Sequence, residues 1–149
     1  MNPHLSFFLF LLLSGVCSSL SAESRDEILR KGKELYNGAG SCVDCHMADG
    51  KGQKGNIPPL AGSDWLKEGS DRSIAISIRG LAGPIQVNGK KYYAAMPPQL
   101  LFDDEKLAYI LSYVNNAWGN QEDLVSKEEV AKARRELSQD VFTPQTLLK

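Results

Sequence analysis

Cys42-Val43-Asp44-Cys45-His46 constrains this chain more than any other stretch. Two thiols at this spacing can add to the two vinyl groups of one haem, and the adjacent imidazole can then ligate the iron from one face. Such a chain folds around its cofactor, and the chemistry narrows to electrons, oxygen species or small ligands at iron. C-x-x-C also serves redox-active disulfides and zinc sites. A structural zinc site wants a second ligand pair, yet the third and last cysteine, Cys17, lies in an apolar leader. A thioredoxin-like dithiol wants a strand before it and a helix after it. Here Gly38, Gly40 and Ser41 precede the pair, and Gly50 and Gly52 follow it. Covalent haem attachment is the favoured reading.

The ligand supply points the same way. The chain has 2 histidines and 3 methionines. His4 and Met1 fall in the leader, so His46 is the one histidine expected in the mature chain, and bis-histidine ligation is excluded. Met47 neighbours His46 and cannot reach the opposite face of the iron. Met96 remains, in Ala94-Ala95-Met96-Pro97-Pro98. Small alanines let a loop approach a porphyrin, and the prolines restrict the backbone around the methionine. A lone methionine also serves as a core filler; elimination and flank together favour the axial ligand.

Residues 1–22 read as a signal peptide. Leu5 to Leu13 is almost wholly apolar and too short to span a bilayer comfortably, and cleavage is expected near Ser21 or Ala22. The absence of Lys or Arg before the apolar run leaves an uncleaved anchor as the alternative, and membrane contact is expected only in that case. Val16 stands where a lipoprotein signal wants a small residue, which argues against a lipid on Cys17. A periplasmic or otherwise exported location agrees with the haem motif, because attachment needs reduced thiols and haem together outside the cytoplasm. The 17 Lys+Arg against 18 Asp+Glu argue against nucleic acid as a partner. A chain this small buries a modest core by itself, so the haem-free chain is expected to be largely unfolded.

Residues 23–120 read as one domain and 121–149 as a charged helical C-terminal extension. Ser24 to Tyr36 predicts a helix capped by Ser24, with Ile28, Leu29, Gly32, Leu35 and Tyr36 on one face. A glycine on that face costs helix propensity but lets another helix cross closely. Asp49 to Gly62 is loop. Ser70 to Arg79 predicts a short helix capped by Ser70 or Asp71, with Ile74 and Ile78 on its apolar face. Asn88-Gly89 predicts a hairpin between Ile85-Gln86-Val87 and Lys90-Lys91-Tyr92. Asp103 to Trp118 is the best helix, with Leu107, Ile110, Leu111 and Val114 as its stripe and Gly119 closing it. Ser126 and Glu129 begin a further capping pattern, followed by a charged helical segment, Lys127 to Leu137. Phe142, Pro144, Leu147 and Leu148 suggest a strap. A solvated extension and a docking element both stand as readings of this tail.

With these pieces in order, the chain resembles the class I cytochrome c family in its single-haem bacterial form. The matching residues are Gly32, Tyr36, Cys42, Cys45, His46, Pro58, Leu60, Met96 with Pro97, and the terminal helix with Tyr113 and Trp118. The stretch from Gly83 to Gly89, Met96-Pro97-Pro98 and Trp118-Gly119-Asn120 is similar to the domains that accompany bacterial oxidases, copper nitrite reductases and quinoprotein dehydrogenases. The resemblance implies an all-α fold, with first and last helices crossing and short helices and one hairpin around a covalent haem c. It implies thioethers at Cys42 and Cys45, axial ligands His46 and Met96, and a Pro58 carbonyl that orients the imidazole. Expected pocket residues are Ile57, Leu60, Trp65, Ile74, Ile78, Leu81, Leu101 and Leu111.

The expected role is a one-electron carrier, not an enzyme, between redox protein donors and acceptors of oxidase, nitrite reductase or quinoprotein dehydrogenase type. A haem subunit fixed in an oxidoreductase complex is the alternative. A gas-binding or peroxidase-like protein is less favoured, because no distal histidine remains for acid–base work.

Overall fold

A computed structural model describes residues 23–38, 42–93 and 95–137. The expected leader, and the Phe142, Pro144, Leu147 and Leu148 strap, lie outside them. Among the described residues, five α-helices and one two-stranded hairpin make the expected all-α architecture.

Helix α1 (Arg25–Tyr36) starts where the sequence places it: the Ser24 hydroxyl accepts from the Glu27 N–H at 3.2 Å, and Asp26 and Glu27 occupy the positive end of the helix. The short α2 is Cys42–His46. Helix α3 (Ser70–Arg79) departs from expectation at its start. Its cap is Gly69 at φ 92°, without a side-chain hydrogen bond; Ser70 is already helical and its hydroxyl donates to Glu129 at 3.4 Å. A tertiary partner has taken the side chain that local pattern assigns to the cap.

Strands β1 (Ile85–Val87) and β2 (Lys90–Tyr92) pair antiparallel, Ile85 opposite Tyr92. Asn88 and Gly89 both adopt positive φ, 50° and 74°, as a two-residue hairpin turn demands. Asn88 and Asp64 exchange hydrogen bonds, backbone N–H to side-chain oxygen each way, at 2.9 and 3.0 Å. The Trp65 indole donates to the Gln86 carbonyl at 2.8 Å, so the hairpin is tied to the 3-10 turn Asp64–Leu66.

Helix α4 (Asp104–Asn116) is capped by Asp103 and buries Leu107, Ala108, Ile110, Leu111 and Val114. It ends two residues before the expected Trp118. Ala117 is extended and Trp118 has φ 54°, because the indole turns back to donate to the Ala48 carbonyl at 2.9 Å. Helices α1 and α4 pack against each other at Gly32, where an added Cβ would overlap the Tyr109 carbonyl. Helix α5 (Lys127–Leu137) opens on the expected capping box: Glu129 accepts from the Ser126 N–H at 2.7 Å, and Ser126 accepts from the Glu129 N–H at 3.2 Å. It packs on α3 and α4, and Val125 and Val130 join the core of Tyr36, Ile74, Leu107 and Val114.

Candidate haem site

The hydrophobic stripes that build the core leave one large apolar cavity of about 290 Å³ among the described residues. Its wall is assembled from α2, the loop after it, α3, the hairpin, the segment around Met96, and α4. Cys42, Cys45, His46, Pro58, Leu60 and Met96 all line it. These six come from stretches far apart in the sequence, and the fold gathers them around one chamber.

Local geometry explains how each is held. Met47 has φ 62°, and Gly50 and Gly52 have φ 66° and 64°, so the chain reverses directly after His46. The reversal brings the Leu60 and Ala61 N–H groups onto the Gly50 carbonyl at 2.7 and 2.9 Å, and the Gly52 N–H onto the His46 carbonyl at 3.1 Å. Gly52 sits too close to the Ile57 and Pro58 carbonyls for a Cβ. Pro58 is thereby placed with its carbonyl 3.2 Å from His46 Nδ1. A donating Nδ1–H leaves Nε2 as the imidazole's free lone pair and makes it more basic. His46 is 8% exposed, and burial holds its pKa below the ordinary histidine value against the opposing pull of the Pro58 carbonyl, so the neutral, ligating form is favoured.

The Cys42 thiol is pushed up to about 11 by burial, with Cys45 adding to it. A thioether carries no such penalty, since it does not ionise. Met96 is held by a backbone pair with Leu81, 2.8 Å in both directions, and Gly80 leaves no room for a side chain against the Met96 carbonyl.

Of the expected pocket residues, Ile57, Leu60, Trp65, Leu81 and Leu111 line the cavity. Ile74, Ile78 and Leu101 do not. Ile74 is 1% exposed and Ile78 packs beside it in the helical core, while Leu101 is 83% exposed. The cavity face of α3 is instead Ser73, Ile76 and Ser77, with Arg72 at its edge. Most of that face is polar, so apolar periodicity finds the opposite side of the helix. Sequence reasoning also missed Arg72 itself, the only lysine or arginine in the lining among the described residues. It packs over the Trp65 ring at 5.0 Å and pairs with Glu68. Two signals mark it in the sequence: the i, i+4 spacing from Glu68, and a cation among otherwise apolar expected pocket residues. Near Met96 in the chain, Tyr93, Pro97, Pro98 and Leu100 are exposed.

An apolar chamber lined by two thiols and an imidazole from one short helix and by the Met96 segment fits a flat, largely hydrophobic iron porphyrin. These groups define a c-type haem protein. The cytochrome c family model matches residues 29–118. The chain is 31% identical over 144 residues to a cytochrome c-552 of Thermus thermophilus, covering 93% of this chain and 89% of that one. A second Thermus thermophilus cytochrome c-552 is 33% identical over 122 residues, covering 78% of this chain and 91% of the relative. The cytochrome c subunit of a quinone alcohol dehydrogenase from Gluconobacter oxydans is 30% identical over 107 residues, 69% of this chain but 22% of that subunit. The chain belongs to the cytochrome c family: it is an electron-transfer protein, and its cofactor is covalently bound haem c.

Proposed function

We propose that this protein is an exported single-haem carrier that moves one electron between a respiratory or dehydrogenase donor and an acceptor enzyme, with Cys42 and Cys45 as thioether attachments and His46 and Met96 as axial ligands. The observation that carries this reading is the convergence of His46 and Met96 on the same apolar cavity. Bound haem c supplies a one-electron iron couple. The chain's own part is to fill both axial positions, exclude water and keep the ligands from moving. Leu60, Leu81, Leu107 and Leu111 supply the dry wall, and the soft thioether raises the potential by favouring ferrous iron. Likeness to a cytochrome subunit of a quinone alcohol dehydrogenase supports partners of dehydrogenase or oxidase type.

The test is a visible spectrum of the ferric holoprotein together with Met96→Ala. A weak far-red thioether–iron band, lost in the variant, is the expected result; a wild-type protein without that band defeats the assignment. Export is read separately, by the mature N-terminus of protein taken from its native cell, expected near Ser21 or Ala22. Among the described residues no helix is long and apolar enough to cross a membrane.

A second reading, a haem subunit fixed in an oxidoreductase complex, is favoured by the exposed Tyr93, Leu100 and Leu101. Purification from the native membrane and soluble fractions separates the two: a carrier runs alone, a subunit runs with its enzyme.

A further inference from the structure

The segment bearing Met96 is strung between two supports, the C-terminal part of α3 and the first turn of α4. On the α3 side, the Gln99 N–H donates to the Ser77 carbonyl at 2.8 Å, and Gly80 lies directly against the Met96 carbonyl. On the α4 side, the segment ends at the buried Phe102 and the Asp103 cap. The placing of Met96 therefore depends on how far apart these two supports stand.

Helix α5 ties the first half of α3 to the first turn of α4, and α3 carries that hold along its length to Ser77 and Gly80. Glu129 accepts from the Ser70 hydroxyl at the start of α3, and the fully buried Val130 shares a core with Ile74. One turn later Arg134 donates to Asp104 at 2.7 Å and to the Phe102 carbonyl at 3.2 Å. Ahead of the helix, Ser112 of α4 exchanges bonds with the Val125 N–H and carbonyl at 2.9 and 3.2 Å, with Ser112 fully buried.

We propose that α5 is a clasp for the methionine segment: Glu129, Val130 and Arg134 are positioning residues that lock α3 to the start of α4 and so hold Met96 toward the haem cavity. The proposal rests on the axial role of Met96 argued above. Its physical content is local. Loss of the clasp frees the 96–102 stretch before it unfolds the α1–α4 crossing, because Gly32 of α1 rests on Tyr109 and Tyr113 of α4, whereas Arg134 holds Asp104 and Phe102 at the other end of that helix.

The experiment uses full-length holoprotein and three variants, Arg134→Gln, Glu129→Gln and Val130→Ala, with Leu35→Ala on α1 as a control for general destabilisation. Amide hydrogen exchange is followed at Leu81, Met96 and Gln99, whose N–H groups make the bonds described. The rate at which added imidazole enters the ferric iron's coordination is followed in parallel. Arg134→Gln is expected to speed exchange at these three amides, and imidazole entry, by about tenfold, equivalent to about 1.4 kcal/mol. Exchange at Tyr36 should stay unchanged, whereas Leu35→Ala speeds Tyr36 at least as much as Met96. Should Val130→Ala fail to fold, the two surface substitutions still decide. Exchange at Met96 and Gln99 as slow as in the wild type, or a rise shared evenly with α1, overturns the clasp. The far-red band reports on the ligand independently: if the wild type lacks it, the axial role falls, while the exchange data still decide whether α5 holds the segment.

Discussion

Gly32 on α1 and Tyr109 on α4 approach so closely that the Tyr109 carbonyl occupies the place a Cβ would take, with Tyr113 Cβ only 2.7 Å from the same point. This contact fixes the crossing of the two longest helices among the described residues. One turn further along α1, the crossing presses Tyr36 edge-on against Tyr113 and Trp118, ring centroids 5.4 and 5.2 Å apart. The Tyr36 hydroxyl then donates to the Met47 carbonyl at 2.8 Å, directly after the haem-ligating candidate His46. A helix crossing thereby sets the backbone from which the imidazole projects.

Substituting Gly32→Ala should open that crossing. Backbone stands on the other side of the contact and cannot swing away as a flexible side chain does. The expected cost is about 1–3 kcal/mol, seen as a lower Tm of the holoprotein, despite the better helix propensity of alanine. An unchanged or raised Tm shows that the crossing has slack the geometry denies.

Arg72 should tune the potential. Among the described residues it is the only lysine or arginine lining the cavity, and it is held in place by Trp65 and Glu68. A fixed positive charge beside the haem favours the reduced iron, which carries one positive charge fewer. Arg72→Gln is expected to lower the midpoint potential, by an energy on the order of 1 kcal/mol at the effective dielectric of a partly exposed site. Arg72→Lys should recover part of the loss. A redox titration in which Arg72→Gln matches the wild type removes Arg72 from the electrostatics of the site.

Removing the haem should unfold much of the chain. Without the haem, the apolar residues around a chamber of about 290 Å³ lose their packing partner, and a small domain has little stability to spare. Chain made without haem, or as Cys42→Ala with Cys45→Ala, is expected to show far-UV dichroism well short of five formed helices. A haem-free chain with full helicity and a sharp thermal transition would show that the side chains close the cavity by themselves.

The parts of the fold legible in the sequence are those decided by neighbours along the chain. Ser24 before two acids, Asp103 before a stripe, and Asn88-Gly89 between short alternating runs each act within a few residues, and each formed as expected. Cys42, Cys45, His46 and Met96 could be nominated for another reason, that covalent and coordinate chemistry admits few residue types, and all four line the cavity. What sequence missed was decided at a distance. Trp118 continues the α4 stripe, yet leaves the helix to bond Ala48. Ser70 is a good cap by type, yet its hydroxyl turns to Glu129. Val125 and Val130 sit in a charged stretch with a weak apolar pattern, and partners far away in the chain, Ser112 and Ile74 among them, make them core. Ser73 and Ser77 face an apolar cavity, and no periodicity announces a polar helix face as a cofactor wall.

Acid should loosen α5. Hydrogen bonds from the Ser126 hydroxyl and N–H, and then from Ser70, hold the Glu129 carboxyl below its ordinary value of 4.5. A carboxyl whose folded pKa lies below its unfolded one stabilises the fold fully above the unfolded value, and loses that contribution as pH falls through the folded value. At about pH 7 the wild type should therefore be more stable than Glu129→Gln, and the gap should narrow as pH drops below the ordinary carboxylate range until the two converge. Guanidinium unfolding of both proteins across that range reads the gap directly, and amide exchange within α5 should accelerate over the same interval in the wild type but not in the variant. A gap that is constant with pH, or that widens in acid, shows that the Ser126 and Ser70 bonds do not favour the ionised Glu129.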